Sequence, residues 1–508
     1  MQKLIKSIWL GPVTSGVLTF IAVCHINFII GWLCFVPLFI SLFNSSAKQS
    51  FKRGFIFGFV ISCLAFYWMI PGSERFTGNS MIYGLAVFLI SAFFLSLYFG
   101  VLIYCFSVLK RINEPRSFII NALFAASFFT VAEALLMMVS AGFPWFDFHS
   151  GNAMADNVYA IQPASFFGIH IITFVTVLVN YMVSFFIVQK QWKELFIPVS
   201  VILFYLLAGF FILQTFERNS PVNKTLHVAI LAENIVPDIK WDDNTGNVLV
   251  ERLLDLNRKA TLLKPDIMLW SESAIPWTYS KDDDLVKEVL KITAPSHAVH
   301  VMGINTAYEE NEVYNSAYCL LPDGTVAGRY DKQFLLSLIE QPLSGLLIPF
   351  FSSKGFFVRD DTTHSLPLST PYGKAGIMIC NESAVPAAAS NMARHGATFL
   401  CNLSNDGWFN DTYIVNMHFY NARLRAVETR KDVVINCNNG ISGLIRASGN
   451  IEESQRSTDP YVSMVDVNTN NYESLATKYP FLFVYLCAVY ILSIIALKII
   501  SKYKRTSK

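Results

Sequence analysis

Eight stretches of this chain carry almost only apolar side chains, near residues 8–24, 26–43, 54–71, 82–108, 118–141, 160–188, 195–214 and 481–501. A hydrocarbon core about 30 Å thick takes ~20 residues of helix at ~1.5 Å each, so each stretch matches one crossing. The first two are separated only by His25–Asn27 and read as a tight helical hairpin. Lipid is therefore part of the solvent, and composition agrees. Hydrophobic residues make up 53% and charged residues only 15%, against about a quarter charged in soluble domains. Disorder, collagen and coiled coil are excluded on the same grounds.

Loop charge tests the count independently, because Lys and Arg gather on the cytoplasmic side. Lys3 and Lys6, then Lys48, Lys52 and Arg53, then Lys110, Arg111 and Arg116, then Lys190 and Lys193, and finally Lys498 to Lys508 fall in alternate connections. The connections between them hold Arg75, offset by Glu74, and none in 142–159. Residues 1–216 then read as a bundle of seven transmembrane helices with the N-terminus inside. Residues 217–479 read as an extracytoplasmic domain, and 480–508 as an eighth helix that returns a basic tail to the cytoplasm. The first helix lacks a small-residue cleavage pattern and is expected to be retained. A net charge of +2, from 39 basic and 37 acidic residues, offers no grip on nucleic acid. Nine cysteines without a CxxC, and no His/Cys/Asp cluster at ligand spacing, predict neither disulfide framework nor metal, and no cofactor is expected.

Within the outer domain strand-like and helix-like segments alternate. Strands are predicted at 227–234, 266–273, 297–304, 314–322, 325–332, 374–381, 397–404, 432–439 and 461–467, and helices at 247–263, 283–293, 385–395 and 412–430. That alternation is the signature of an α/β layered fold.

Ligands gather at the carboxyl ends of strands in such folds, so polar residues just past apolar strand cores come first. Glu272 in IMLWSESAIPW, Lys332 in GRYDKQFLL and Cys380 in AGIMICNES stand in such places, with Glu382 close behind the thiol. A thiol with a pKa near 8.5 needs a base and a nearby cation to become a nucleophile at neutral pH. Glu272 can supply the base, and Lys332 the charge that stabilises an oxyanion. Cys319, Cys401 and Cys437 lie inside apolar strand patterns and read as core, and His395 and His418 as lone histidines on helices.

The motifs LWSESAIPW, GRYDKQFLL and GIMICNES, in that chain order, resemble those of the nitrilase (carbon–nitrogen hydrolase) superfamily. CNLSNDGWF (401–409), ARLRAVETRKDVVINCNNGISGLI (422–445) and AENIVPDIKW (232–241) extend the likeness over 225–470. Joined to eight crossings and GFPW (142–145), the whole chain resembles the apolipoprotein N-acyltransferase family. The resemblance implies an αββα sandwich with Cys380 as nucleophile, Glu272 as general base and Lys332 as oxyanion-stabilising cation. It also implies a second acid at Glu340, although LSLIEQPLS lacks the Phe-Gly that commonly precedes it. Glu382 braces the turn, Trp241 and Trp408 match aromatic positions near the substrate pocket, and Asn381 stands where relatives often carry an aromatic.

That family further implies a ping-pong reaction in the bacterial inner membrane. A phospholipid acylates Cys380, and the acyl group passes to the α-amine of an apolipoprotein's S-diacylglyceryl cysteine. A monomer is expected. A membrane-tethered amidase or acyl hydrolase and a non-catalytic lipid-binding scaffold are the alternatives. The greasy run 337–358 reads as lids dipping into the interface. Glu133 and His170, inside predicted crossings, read as groove-lining or paired structural groups. Asp147 and His149, beside GFPW, are expected at the outer interface.

Overall fold

The computed structural model describes residues 7–77, 80–111, 118–146, 148–220, 222–236, 239, 241–242, 245–309, 312–337, 340–341, 356–357, 364–409 and 412–506. Helix α1 (Leu10–Thr19) runs on as a π-helical turn, Phe20–Cys24, and turns back into α2 (Phe28–Gly31) and α3 (Val36–Leu42). Asn27 caps that return by accepting Ile30 N–H at 3.0 Å. Then follow α4 (Ala47–Ala65), α5 (Met69–Thr77), α6 (Met81–Arg111), α7 (Phe118–Val139), α8 (Ile169–Val188) and α9 (Phe196–Asn219). Among the described residues, Met81–Leu109, Phe118–Val139, Ile169–Val188 and Trp192–Asn219 are long and apolar enough to cross a membrane, and Leu10–Cys24, Phe28–Leu42 and Leu482–Leu497 are shorter apolar helices.

Two predicted crossings are corrected. The run 54–71 is not one helix: α4 starts at Ala47, behind a capping box of Ser46 and Gln49, and ends before Phe66. The run 160–188 is broken at Gly168, whose φ of +65° interrupts the helix, and α8 begins at Ile169. Helices α4 and α6 meet closely through Gly54 and Gly58, where a Cβ would lie 2.3 Å from Phe99 O and 2.8 Å from Leu95 O. Small residues four apart allow this approach where water supplies no hydrophobic drive.

The domain that follows holds helices α10 (Gly246–Leu262), α11 (Asp284–Thr293), α12 (Pro386–Arg394) and α13 (Ile414–Thr429), before α14 (Leu482–Thr506) closes the chain. Its first sheet is centred on β1 (Lys224–Ala232), β2 (Ile267–Leu269) and β4 (Val299–Glu309), with β3 (Ile275–Thr278) between the last two in sequence. β1, β2 and β4 are parallel neighbours. β5 (Glu312–Tyr314), β6 (Ser316–Leu320), β7 (Val326–Asp331) and β8 (Phe356–Phe357) extend this sheet, and β15 (Tyr461–Thr469) pairs antiparallel with β1. The second sheet contains β9 (Leu368–Thr370), parallel β10 (Gly373–Ile379), β11 (Phe399–Asn405) and β12 (Val433–Asn438), then the antiparallel β13 (Ile441–Ile445) and β14 (Ile451–Arg456).

Period-two alternation sorts side chains into layers. Leu226, Val228 and Ile230 of β1 pack with Ile377, Cys401, Leu403 and Val434 of the other sheet. Ala229 and Leu231 turn outward onto Leu249 and Leu253 of α10 and Val289 of α11. On the far side Phe419, Ala422 and Ala426 of α13 cover the second sheet. The order helix, sheet, sheet, helix is an αββα sandwich. The opposite face of α13 is apolar too, with Leu424 and Val427 against Ala160 and Ile161 of the bundle. Polar stitches reinforce that seam: Arg423 donates to the carbonyls of Ala155 and Asp156, and Ile169 N–H donates to Glu428 at 2.8 Å.

Candidate active site

Each functional side chain leaves the sandwich where a strand ends. Ile379 closes β10, and Cys380 follows at φ +54°, a left-handed conformation that a side chain adopts only when its surroundings enforce it. Glu382 supplies that enforcement. Its carboxylate accepts Ile379 N–H (2.7 Å), Gln333 N–H (2.7 Å), Phe334 N–H (3.1 Å) and the Tyr330 hydroxyl (2.9 Å), tying the turn to the segment after β7. Glu272 follows β2, and Gly303 on the neighbouring β4 gives it room: a Cβ there would lie 2.0 Å from Ser271 O and 3.0 Å from Glu272 Cα. Lys332 follows β7, its backbone N–H bonded to Asn315 O at 2.9 Å.

These ends converge. Lys332 Nζ lies 3.7 Å from Glu272 Oε1 and donates to Glu340 Oε1 at 2.7 Å. Glu340 is held in turn by Leu336 N–H, at 2.7 Å from Oε2. Asn315 Nδ2 donates to Glu272 Oε1 at 2.8 Å, and the Cys380 thiol acts on the Glu272 carboxyl electrostatically. Glu272, Lys332, Glu340 and Cys380 are all at least nine-tenths buried.

Burial raises the Glu272 carboxyl above its ordinary 4.5, a shift that the Lys332 charge moderates. Cys380 is pushed well above the ordinary thiol value by burial and by the Glu272 charge, against the opposing pull of Lys332. Burial alone would lower Lys332, but Glu340, Cys380 and Glu272 outweigh it, so the amine is held charged. These shifts favour a neutral thiol beside Glu272, with a charged ammonium fixed alongside. That arrangement suits proton removal during attack rather than a standing thiolate.

A narrow, mostly apolar cavity opens from Cys380 toward the helical bundle. Leu336, Asn381, Phe409, Tyr413 and Met417 wall it from the domain, and Val23, Trp68, Pro144, Trp145 and Phe148 from the bundle. Asn381 donates to Phe334 O at 3.0 Å, and its Oδ1 is buried without a partner among the described residues.

His418 is not the lone helical histidine that its surroundings in the sequence predict. Its Nδ1 is 2.7 Å from Asp406 Oδ1, and its ring lines the same cavity as Cys380. Burial opposes protonation of His418, yet the Asp406 charge raises its pKa above the ordinary value. Sequence reasoning also missed Asn315, whose only signal was a polar residue between two short strands.

Other expected site residues lie elsewhere. Trp241 packs edge-on against Trp277, with centroids 5.6 Å apart, and is not among the cavity walls. Trp408 belongs to the turn Gly407–Phe409, its side chain outside the described residues. Most of the lid segment, 338–339 and 342–355, and Asp147 are outside them as well. His149 is buried rather than interfacial, its ring edge-on to His170. Glu133 is a structural carboxylate that accepts Ser150 N–H and the hydroxyls of Ser150 and Thr173. Among the described residues no group of three His, Cys, Asp or Glu side chains is placed to hold a metal ion.

Residues 15–182 match the family model of the apolipoprotein N-acyltransferase N-terminal domain, and residues 228–475 that of carbon-nitrogen hydrolase. The chain is 26% identical over 474 residues to an apolipoprotein N-acyltransferase of Geobacter metallireducens, covering 90% of this chain and 88% of that one. It is 27% identical over 409 residues to one of Haemophilus ducreyi, covering 76% and 75%. A solved carbon-nitrogen hydrolase from Helicobacter pylori G27 aligns with 51% of this chain and 94% of its own, at 18% identity and a TM-score of 0.38. With one model on the bundle, the other on the sandwich and like-named relatives along most of its length, this membrane protein belongs to the apolipoprotein N-acyltransferase family.

Proposed function

We propose that the chain moves an acyl group from a membrane phospholipid to the α-amine of the S-diacylglyceryl cysteine that begins an apolipoprotein. In the first half-reaction Glu272 takes the thiol proton while Cys380 Sγ attacks the ester carbonyl. The Lys332 ammonium stabilises the oxyanion. The carbon–oxygen bond breaks, the alkoxide recovers the proton from Glu272, and a lysophospholipid leaves a thioester behind. In the second, the acceptor amine attacks the thioester and Glu272 removes its proton. Collapse forms the amide and returns the thiol.

What supports this reading is the cavity at Cys380, walled on one side by membrane helices. An acyl chain reaches the thiol through such walls without leaving an apolar environment, which would cost about 0.8 kcal/mol for each CH₂. The same aromatic walls limit water, so an amine wins the thioester. Asp406 orients His418, leaving Nε2 on the cavity side as a second proton-handling group for the incoming amine. Glu340 holds the Lys332 ammonium in position, and Asn381 and Trp408 are proposed substrate contacts.

Likeness to relatives in Geobacter metallireducens and Haemophilus ducreyi supports a bacterial cytoplasmic membrane location, and the Lys and Arg pattern supports the 217–479 domain outside, eight crossings and both termini in the cytoplasm. One chain carries every group used, so a monomer suffices.

The test is to reconstitute the protein in phospholipid vesicles with a synthetic S-diacylglyceryl-cysteinyl peptide and weigh the products. One added acyl group on the α-amine, with lysophospholipid in equal amount, is expected. Free fatty acid with no new amide would overturn acyl transfer in favour of hydrolysis.

A further inference from the structure

Helix α13 ends on Arg430, whose φ of +56° is the left-handed conformation that glycine normally supplies at a helix end. An arginine held there, 2% exposed, requires a reason beyond chain reversal. Its guanidinium lies 4.3 Å above the Phe216 ring of α9 and donates to Ala447 O, Gln162 Oε1 and Ser165 Oγ, all neutral acceptors. Glu217, the acid whose charge reaches it, accepts Asn450 Nδ2 at 2.9 Å and forms no ion pair with it. Among the described residues three of five N–H donors are used, and a buried cation without a counter-ion is costly.

The same Arg430 lines a second cleft, open to its surroundings, at the seam between domain and bundle. Ser165, Thr215 and Asn219 add polar groups, and Phe166, Phe211 and Phe216 an apolar side. From there the outward face of α9 continues through Leu207 and Phe204, which are 53% and 75% exposed. His418, in the first cavity, lies twelve residues before Arg430, about 18 Å along the helix at ~1.5 Å per residue. The two cavities therefore flank opposite ends of α13.

We propose that this second cavity binds one glycerophospholipid, its phosphodiester on the Arg430 guanidinium and its acyl chains along α9. Guanidinium is the side chain best matched to phosphate oxygens. A largely apolar cleft with a guanidinium and a few polar groups at one end, opening onto a greasy helix face, fits a head group that has chains attached. The site is separate from Cys380 and does not depend on acyl transfer.

Delipidated full-length protein in maltoside detergent, given a phosphatidylglycerol with a diazirine on one acyl chain, tests this by mapping the label after irradiation. Label is expected on the α9 peptide that carries Phe204 to Phe216. In Arg430→Gly, where the backbone suits glycine and thermal melting checks that the fold is kept, it should fall about tenfold, as loss of a charge-assisted bond implies. Label in the Cys380 cavity should not change. A diacylglycerol with the same diazirine, lacking phosphate, should label α9 about tenfold less, and inorganic phosphate should not displace the lipid. Equal α9 labelling in wild type and Arg430→Gly, or by diacylglycerol, would overturn the proposal. Displacement by inorganic phosphate would assign the cavity to the free ion instead and overturn the lipid. Arg430→Gln provides a second variant that removes the charge, and it should behave as Arg430→Gly does.

Discussion

Glu133 in the helical bundle and Glu272 in the sandwich are both buried carboxylates, held in opposite ways. Glu133 accepts Ser150 N–H on both oxygens at 3.2 Å, the Ser150 hydroxyl, and the Thr173 hydroxyl at 2.8 Å. Its lone pairs are spent on fixed hydrogen-bond donors that pin the segment after GFPW between α7 and α8, with the His149 ring 3.7 Å from Oε2. Glu272 has one amide donor, an ammonium 3.7 Å away and the Cys380 thiol acting on it electrostatically, at the edge of a cavity. A carboxylate surrounded by fixed donors stabilises structure, whereas one facing a labile proton beside a fixed cation is prepared for chemistry. Glu382 shows that location does not decide the matter. Two residues from the thiol, it resembles Glu133, with three backbone N–H groups and a phenol bonded to it.

The largest expected effect follows from exchanging the open carboxylate. Glu272→Gln keeps the shape and the Asn315 contact but cannot take a proton, so kcat/KM for acyl transfer should fall about 10²–10⁴-fold with the thermal transition little changed. Activity should also decline on the acid side with a midpoint above 4.5, because burial raises Glu272 and its protonated form is no base. A pH–rate profile checks this, and a limb at or below 4.5 would point to another base. Glu382→Gln is expected to cost about 1.5–3 kcal/mol of stability, the scale of hydrogen bonds to a charged group. Activity should follow the loss of the Cys380 turn, read by thermal melting beside turnover. Smallest is Glu133→Gln, costing about 1 kcal/mol, a downward shift of a few degrees in Tm in detergent, with turnover per folded molecule unchanged. If Glu133→Gln lost activity as Glu272→Gln does, the contrast between the two carboxylates would collapse.

Much of the site could be read from the sequence because its members sit at strand ends, where apolar runs stop on a polar residue. Glu272, Lys332 and Cys380 each announce themselves in that way. Partnerships across the fold have no such local signal. Asp406 ends a strand segment and His418 sits on a helix twelve residues on, and no periodicity joins them. Asn315 lies on a short link between β5 and β6, and only the sheet register brings it to Glu272. The strand β14 also escaped, since Ile451–Arg456 is largely exposed and shows no apolar alternation. In the bundle, hydropathy located the apolar runs but not their breaks. Gly168 and the Ser46 cap set helix ends through backbone conformation and hydrogen bonding, to which a sum of apolar residues is blind.

The central claim is that Cys380 carries the acyl group. Purified protein incubated with phospholipid alone, digested and weighed by mass spectrometry, tests it most directly. The account predicts one acyl chain in thioester linkage on the peptide bearing Cys380, released by neutral hydroxylamine, lost on adding the acceptor peptide and absent in Cys380→Ala. An acyl adduct on another residue, or acyl transfer persisting undiminished in Cys380→Ala, would contradict it.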